Sequence, residues 1–234
     1  MQAFHNDPAI KAKYQARLAA HRTAEELIQG TGFSNGRGCA VGCTLDAYDH
    51  SRYPIELGLP QWLAHLEDAL FEALPVEQAK QFAEDFLEAV PVGADVEPVN
   101  TLLGIEQLQR LGRHADRDAN CRVAVDLALD WLKDSGSGAW AFDLRNKLCG
   151  LYEAATKKSS QKIILAALTV LAETGNPYIN VDLATRTSSA EQAVAADDAA
   201  HTSEDQKWLA ADVARTAYWR WTADTLLALL RACK

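Results

Sequence analysis

Residues 60–75 read Pro60-Gln61-Trp62-Leu63-Ala64-His65-Leu66-Glu67-Asp68-Ala69-Leu70-Phe71-Glu72-Ala73-Leu74-Pro75, and this stretch decides the fold class. Trp62, Leu63, Leu66, Leu70, Phe71 and Leu74 recur at three- and four-residue steps, which puts them on one stripe of an α-helix. His65, Asp68 and Glu72 fall together on the opposite face. Pro60 stands where a helix opens. Pro75 opens the next helix, whose inner stripe is Phe82, Phe86, Leu87 and Val90.

The same period extends in both directions. Asn6-Asp7-Pro8 is a helix start, with an N-cap residue before proline at the first helical position. Ile10, Tyr14, Leu18, Leu27 and Ile28 then share one face, and Gly30 is read as the stop. Downstream, helical patterns cover Leu102 to Leu111, Cys121 to Trp131, Trp140 to Ala155 and Gln161 to Ala172, the last halted by Gly175-Asn176-Pro177. A final alanine-rich segment is expected to begin near Ser188 or Ser189, since alanine favours helix. There is no fixed-period repeat and no convincing strand pair, and the strand-like run Tyr178 to Leu183 is too short to make a sheet. The fold class is therefore all-α. We expect a single compact, bundle-like domain spanning 1–234, with eight to ten helices and one long Gly-rich loop. Ser135-Gly136-Ser137-Gly138 is a turn within it or the place where it subdivides.

With 48% hydrophobic and 24% charged residues, the 234-residue chain can bury a core without disulfides or metal. No stretch approaches the roughly 20 apolar residues that cross a bilayer, so no membrane association is expected. Met1 to Tyr14 carries no signal-peptide pattern. The cysteines at 39, 43, 121, 149 and 233 are odd in number and irregularly spaced, which suits a reducing cytoplasm better than a disulfide framework. Cys233, near a terminus that frays, is expected to react first.

The charge of −9 is uneven. Residues 66–109 hold ten acids against one base, Lys80, while the rest of the chain balances. No basic stripe is present, which argues against general binding of duplex nucleic acid. The acidic segment reads either as a solvated helical face or as a surface for a basic partner, with Glu84, Asp85 and Glu88 as its candidates.

Residues 30–53 contain five of the thirteen glycines and no helical period. Within them, Phe33-Ser34-Asn35-Gly36-Arg37-Gly38-Cys39-Ala40-Val41-Gly42-Cys43-Thr44 admits three chemistries. Backbone amides around Gly36, Gly38 and Gly42, with Arg37, would cradle an anion, although the spacing fits no phosphate or dinucleotide fingerprint. Cys39 would be a nucleophile with His50 as base and Asp46 or Asp49 orienting the imidazole. Cys39, Cys43 and His50 would be three zinc ligands, one short of the usual structural set. The plainer alternative is that both cysteines are small buried hydrophobes.

His65, Asp68 and Glu72 could meet His21 and Glu25 in a metal-binding bundle, but the paired Glu-x-x-His motifs are missing and a solvated face fits better. Trp208, Tyr218, Trp219 and Trp221 read as helix packing rather than a base-stacking platform. No cofactor motif and no complete metal motif is present, so neither group is expected.

The run Gly38 to Thr44, followed by Asp49-His50-Ser51-Arg52-Tyr53 and Glu56-Leu57-Gly58-Leu59-Pro60, resembles a family of uncharacterised bacteriophage and prophage proteins. The likeness extends through Leu63-Ala64-His65-Leu66-Glu67-Asp68 to Val92-Gly93-Ala94-Asp95, and more weakly to Gly175-Asn176-Pro177-Tyr178 and the alanine-rich tail. It implies a phage or prophage setting and brings no activity or catalytic residue with it. Two functions stay open at this point. The first is binding of another macromolecule, an unknown protein partner, through the acidic segment. The second is a cysteine-dependent enzyme, or a small-ligand or zinc-binding protein, centred on Cys39, Cys43 and His50.

Overall fold

Asp7 and Pro8 open the first helix as their types require. In the computed structural model, which describes residues 1–134, 141–171 and 179–234, the Asp7 carboxylate accepts the Ala9 N–H at 2.8 Å at the start of α1 (Pro8–Thr23). The helix stops seven residues before Gly30, the expected stop. Glu25 takes a left-handed conformation (φ 57°) and turns the chain. Leu27 and Ile28 then leave the helical stripe for extended pairing, Ile28 N–H donating to Gly38 C=O at 2.8 Å.

Within the Gly-rich segment the chain makes a small hairpin, β1 (Phe33–Ser34) against β2 (Arg37–Gly38), antiparallel with Phe33 opposite Gly38. Asn35 and Gly36 both have positive φ (53° and 77°), the signature of a type I′ turn. This corrects the reading that no strand pair exists: the Asn-Gly dipeptide carried the signal. The hairpin feeds α2 (Ala40–Leu45), and a π-helical turn at Tyr53–Leu57 leads on to α3 (Gln61–Ala73) and α4 (Val76–Ala89). A Cβ on Gly38 or Gly42 would lie 2.2 or 2.0 Å from the Gly32 carbonyl oxygen, so only glycine lets α2 sit against the hairpin.

The remaining helices are α5 (Glu97–Gly112), α6 (Ala119–Lys133), α7 (Ala141–Ala154), α8 (Lys158–Thr169), α9 (Ile179–Asp198) and α10 (Glu204–Arg231). The class is all-α, as the periodicity predicts. Residues 179–183, read as strand-like, belong to α9, and the expected single tail helix is two. The break falls at 199–203, where the Ser203 hydroxyl accepts the Gln206 N–H at 3.3 Å and caps α10. Ser135 to Gly138, Trp140, Gly175 to Pro177 and Tyr178 lie outside the described residues.

The chain divides into two compact units: Met1–Asn100 with Trp219–Lys234, and Thr101–Tyr218. In the first, α1 packs on α2 and α4, and α3 on α2 and α4, around Tyr14, Leu18, Leu63, Leu66, Phe71 and Phe86. The Lys11 ammonium closes the end of α4 by donating to Glu88 C=O and Val90 C=O at 2.8 and 2.7 Å. In the second unit α8 is central. Its Ile163, Ile164, Ala166 and Ala167 are all buried, and it packs against α6, α7 and α9. A two-pronged Arg110–Glu191 pair (2.5 and 2.8 Å) ties α5 to α9.

Candidate functional site

The Gly-rich segment meets α3 at Asp68. After α2, Asp46 takes a left-handed conformation (φ 55°), and the chain brings Tyr48 and His50 back to α3. Gly32 makes room for Tyr48, because a Cβ there would come within 2.5 Å of the ring. One oxygen of Asp68, Oδ2, accepts the Tyr48 hydroxyl at 2.8 Å and lies 3.3 Å from His50 Nε2. The Cys39 thiol, at the N-cap of α2, lies against the same carboxylate. Next to this group the buried Tyr53 hydroxyl donates to Glu67 Oε2. Asp68 Oδ1, Glu67 Oε1 and Thr44 Oγ1 are buried oxygens without a hydrogen-bond partner. Thr44 brings its own hydroxyl proton and Glu67 holds one below about pH 8, so of these oxygens Asp68 Oδ1 is the one that calls for a donor.

The two neighbouring carboxyls are driven in opposite directions. Burial pushes Glu67 up to about 8, the Asp68 charge adding to it and the Tyr53 hydrogen bond opposing it. Burial acts on Asp68 in the same sense, but donation from His50, Cys39 and Tyr48 outweighs it and holds Asp68 below the usual carboxylate range. With Asp68 ionised, His50 Nε2 faces it with a proton, so the imidazole is turned with Nε2 inward and Nδ1 away from the carboxylate. The His65 ring stacks on that of His50 with centroids 4.1 Å apart, and burial followed by the nearby His50 lowers His65 to about 4. At neutral pH His65 is therefore an uncharged imidazole, and it stands beside an anionic carboxylate. Tyr48 is half exposed, so the group grades from a buried wall of Cys39, Tyr53 and Glu67 to a rim that solvent reaches.

The residues singled out from the sequence fall as follows. Cys39 is 1% exposed, and burial first, then the Asp68 charge, raise its thiol pKa well above the usual value. The expected orienting acids lie elsewhere. Asp46 pairs with Arg17 (3.1 Å) and His21 (2.9 Å), and Asp49 accepts the Ser51 hydroxyl at 2.6 Å. Cys43 Sγ points to Gly38 C=O at 3.4 Å, and its thiol is pushed up to about 12 by burial. Among the described residues no set of three or more His, Cys, Asp or Glu side chains is arranged to hold a metal ion.

In the glycine run, Gly36 forms the hairpin turn and Arg37 donates to Glu25 C=O at 3.4 Å. The amides of Gly38, Cys39 and Gly42 are spent on Glu26 C=O, Thr31 C=O and Cys39 Sγ. Of the trio on the outer face of α3, His65 and Asp68 join the cluster, whereas Glu72 accepts the Gly30 N–H at 2.8 Å. The face read as solvated is thus half covered. Tyr48, Tyr53 and Glu67 were missed. The signal for Glu67 was its place on the buried stripe of α3, between Leu63 and Leu70.

On the outside of the first unit, Glu84 pairs with Arg22 and Asp85 accepts the Gln81 amide at 2.9 Å, while the Glu88 side chain is exposed. Between α4 and α10 runs a groove of about 270 Å³, floored by Leu74, Phe82, Ala223 and Leu227. In the second unit, Trp208, Leu209 and Val213 of α10 are 75%, 63% and 60% exposed. Packing of Trp208, expected with its neighbours, is therefore corrected, although Tyr218 is fully buried. Among the described residues no helix is long and apolar enough to cross a membrane. No protein-family model matches the chain, and no curated protein or solved structure is detectably similar to it.

Proposed function

We propose that the first unit holds a small-molecule site in which His50, oriented by Asp68, exchanges a proton with a bound polar ligand. The observation that carries this reading is the Asp68 carboxylate itself. One oxygen anchors Tyr48 and lies beside His50 at the rim, and the other is buried without a hydrogen bond from either ring, with only the weakly donating Cys39 thiol beside the carboxylate. A ligand donor at Oδ1 would complete it and lie beside the imidazole that the same carboxylate holds, the arrangement general base catalysis needs. The divergent Glu67 and Asp68 support it, because neighbouring carboxyls held in opposite protonation states divide acid and base roles. Cys39 supports the site rather than attacking. Its thiol is desolvated and lies against a carboxylate, which disfavours the thiolate.

The test is a melting-temperature screen of small polar compounds on the intact chain, repeated with Asp68→Asn and Cys39→Ser. Ligands at about 100 times their Kd stabilise by about 2.7 kcal/mol. That is a shift of several degrees for a chain this size. Hits that vanish in Asp68→Asn and survive in Cys39→Ser are expected. Hits indifferent to Asp68, or none at millimolar concentration, would remove the proposal.

A second reading, binding of a macromolecular partner, is favoured by the exposed Trp208, Leu209 and Val213, since tryptophan-centred apolar patches are common anchors of interfaces. A phage or prophage setting suits either reading. The free thiols at all five cysteines favour a reducing cytoplasm.

A further inference from the structure

We infer that the groove between α4 and α10 in the first unit receives a basic, amphipathic helical segment of a partner protein. This rests on the second reading above and gives it a surface. The floor is apolar: Leu74, Phe82, Ala223 and Leu227 are each 4–6% exposed, closed to bulk water yet touched by it. The wall formed by α4 runs from Gln78 to Asp85, about 10 Å of helix. That is room for anchors at i, i+4 and i+7 of a docked helix.

Charge selects the partner. Asp85 and Asp224 stand on the two walls of the groove, and Glu88 is exposed on α4. The basic side chain at the groove, Arg220, donates its Nε–H to Gln78 Oε1 at 2.7 Å and so lies along the wall. α4 itself carries Glu77, Glu84, Asp85 and Glu88 against Lys80, so the field along it is negative. Glu84 is neutralised by Arg22, which moves the acidic centre from the expected Glu84–Asp85–Glu88 trio to the groove rim. A second copy of this chain, at a net charge of −9, is repelled from such a surface. Lysine or arginine flanking an apolar stripe is complementary to it.

Two fluorescent synthetic peptides test this, with the same apolar helical stripe and either lysines or glutamates around it, titrated with the full chain at low salt. The lysine peptide is expected to bind at least tenfold more tightly than the glutamate peptide. The double variant Asp85→Lys, Asp224→Lys, checked for native helicity, should lose at least tenfold for the lysine peptide. Equal binding of both peptides, or an unchanged double variant, would overturn the groove. Loss in Trp208→Ala but not in the double variant would overturn it too, yet leave partner binding standing on α10. Absence of binding by either peptide would overturn the groove as well. A dimer of the chain dissolved by Asp224→Lys would show that a second copy occupies the groove, and also counts against the proposal.

Discussion

The carboxylate that meets His50 belongs to Asp68, with Oδ2 lying 3.3 Å from Nε2, and not to either of the acids nearest His50 in sequence. The same oxygen takes the Tyr48 hydroxyl, so one side chain of α3 fixes two rings of the Gly-rich segment. Replacing Asp68 by Asn removes an ionised acceptor from a half-buried site and should cost about 1–3 kcal/mol in urea unfolding. His50→Ala, which leaves the Tyr48 bond in place, should cost less.

Glu67 gives stability a pH dependence with a definite sign. Its folded pKa of about 8 lies above the ordinary 4.5, mainly because of burial. The folded state therefore holds a proton that the unfolded chain releases. The stability Glu67 contributes is fully present below about pH 4.5 and is lost as pH rises through about 8. Urea midpoints measured across this window should fall more steeply for the natural chain than for Glu67→Gln, which mimics the protonated acid. Parallel curves would show that Glu67 does not titrate there.

The thiols should label in an order set by burial. Cys149 is exposed and Cys233 half buried, whereas Cys39, Cys43 and Cys121 are buried. Timed alkylation read by mass spectrometry should modify Cys149 first, ahead of the terminal Cys233 that sequence position favours, and reach the other three only in denaturant. Early modification of native Cys39 would restore it as a nucleophile.

Two glycines make a matched test of packing. Gly42→Ala puts a methyl group 2.0 Å from the Gly32 carbonyl oxygen and should destabilise by about 1–3 kcal/mol or more. Gly150→Ala meets nothing within 4 Å inside α7 and should stabilise by up to about 1 kcal/mol. Thermal melts of both variants decide the point, and equal effects would contradict the tight seat of α2.

Helical periodicity made α3 and α4 legible because one face of each is almost wholly apolar, and a stripe of that kind is a local property. The hairpin was legible too, in Asn35-Gly36, but two residues per strand leave no alternation to notice. The site was half legible. Cys39, His50, His65 and Asp68 stood out by type, but their pairing is made by folding 30–53 over α3, and chain proximity pointed instead to Asp46 and Asp49. Asp46 was claimed by Arg17 and His21, whose positions on α1 no local pattern relates to α2. Glu67 was hidden because a charged residue among leucines reads as surface until Tyr53 is seen to satisfy one of its oxygens.

The most direct measurement of the Asp68 site is a long-range proton–nitrogen NMR spectrum of the histidine rings, recorded with and without each compound that raises the melting temperature. His50 should hold a proton on Nε2 toward Asp68, a bound compound should shift its Nδ1 signal, and Asp68→Asn should abolish both the Nε2 preference and the shift. A His50 ring that keeps its Nε2 preference without Asp68, or ring signals unmoved by every stabilising compound, would contradict this.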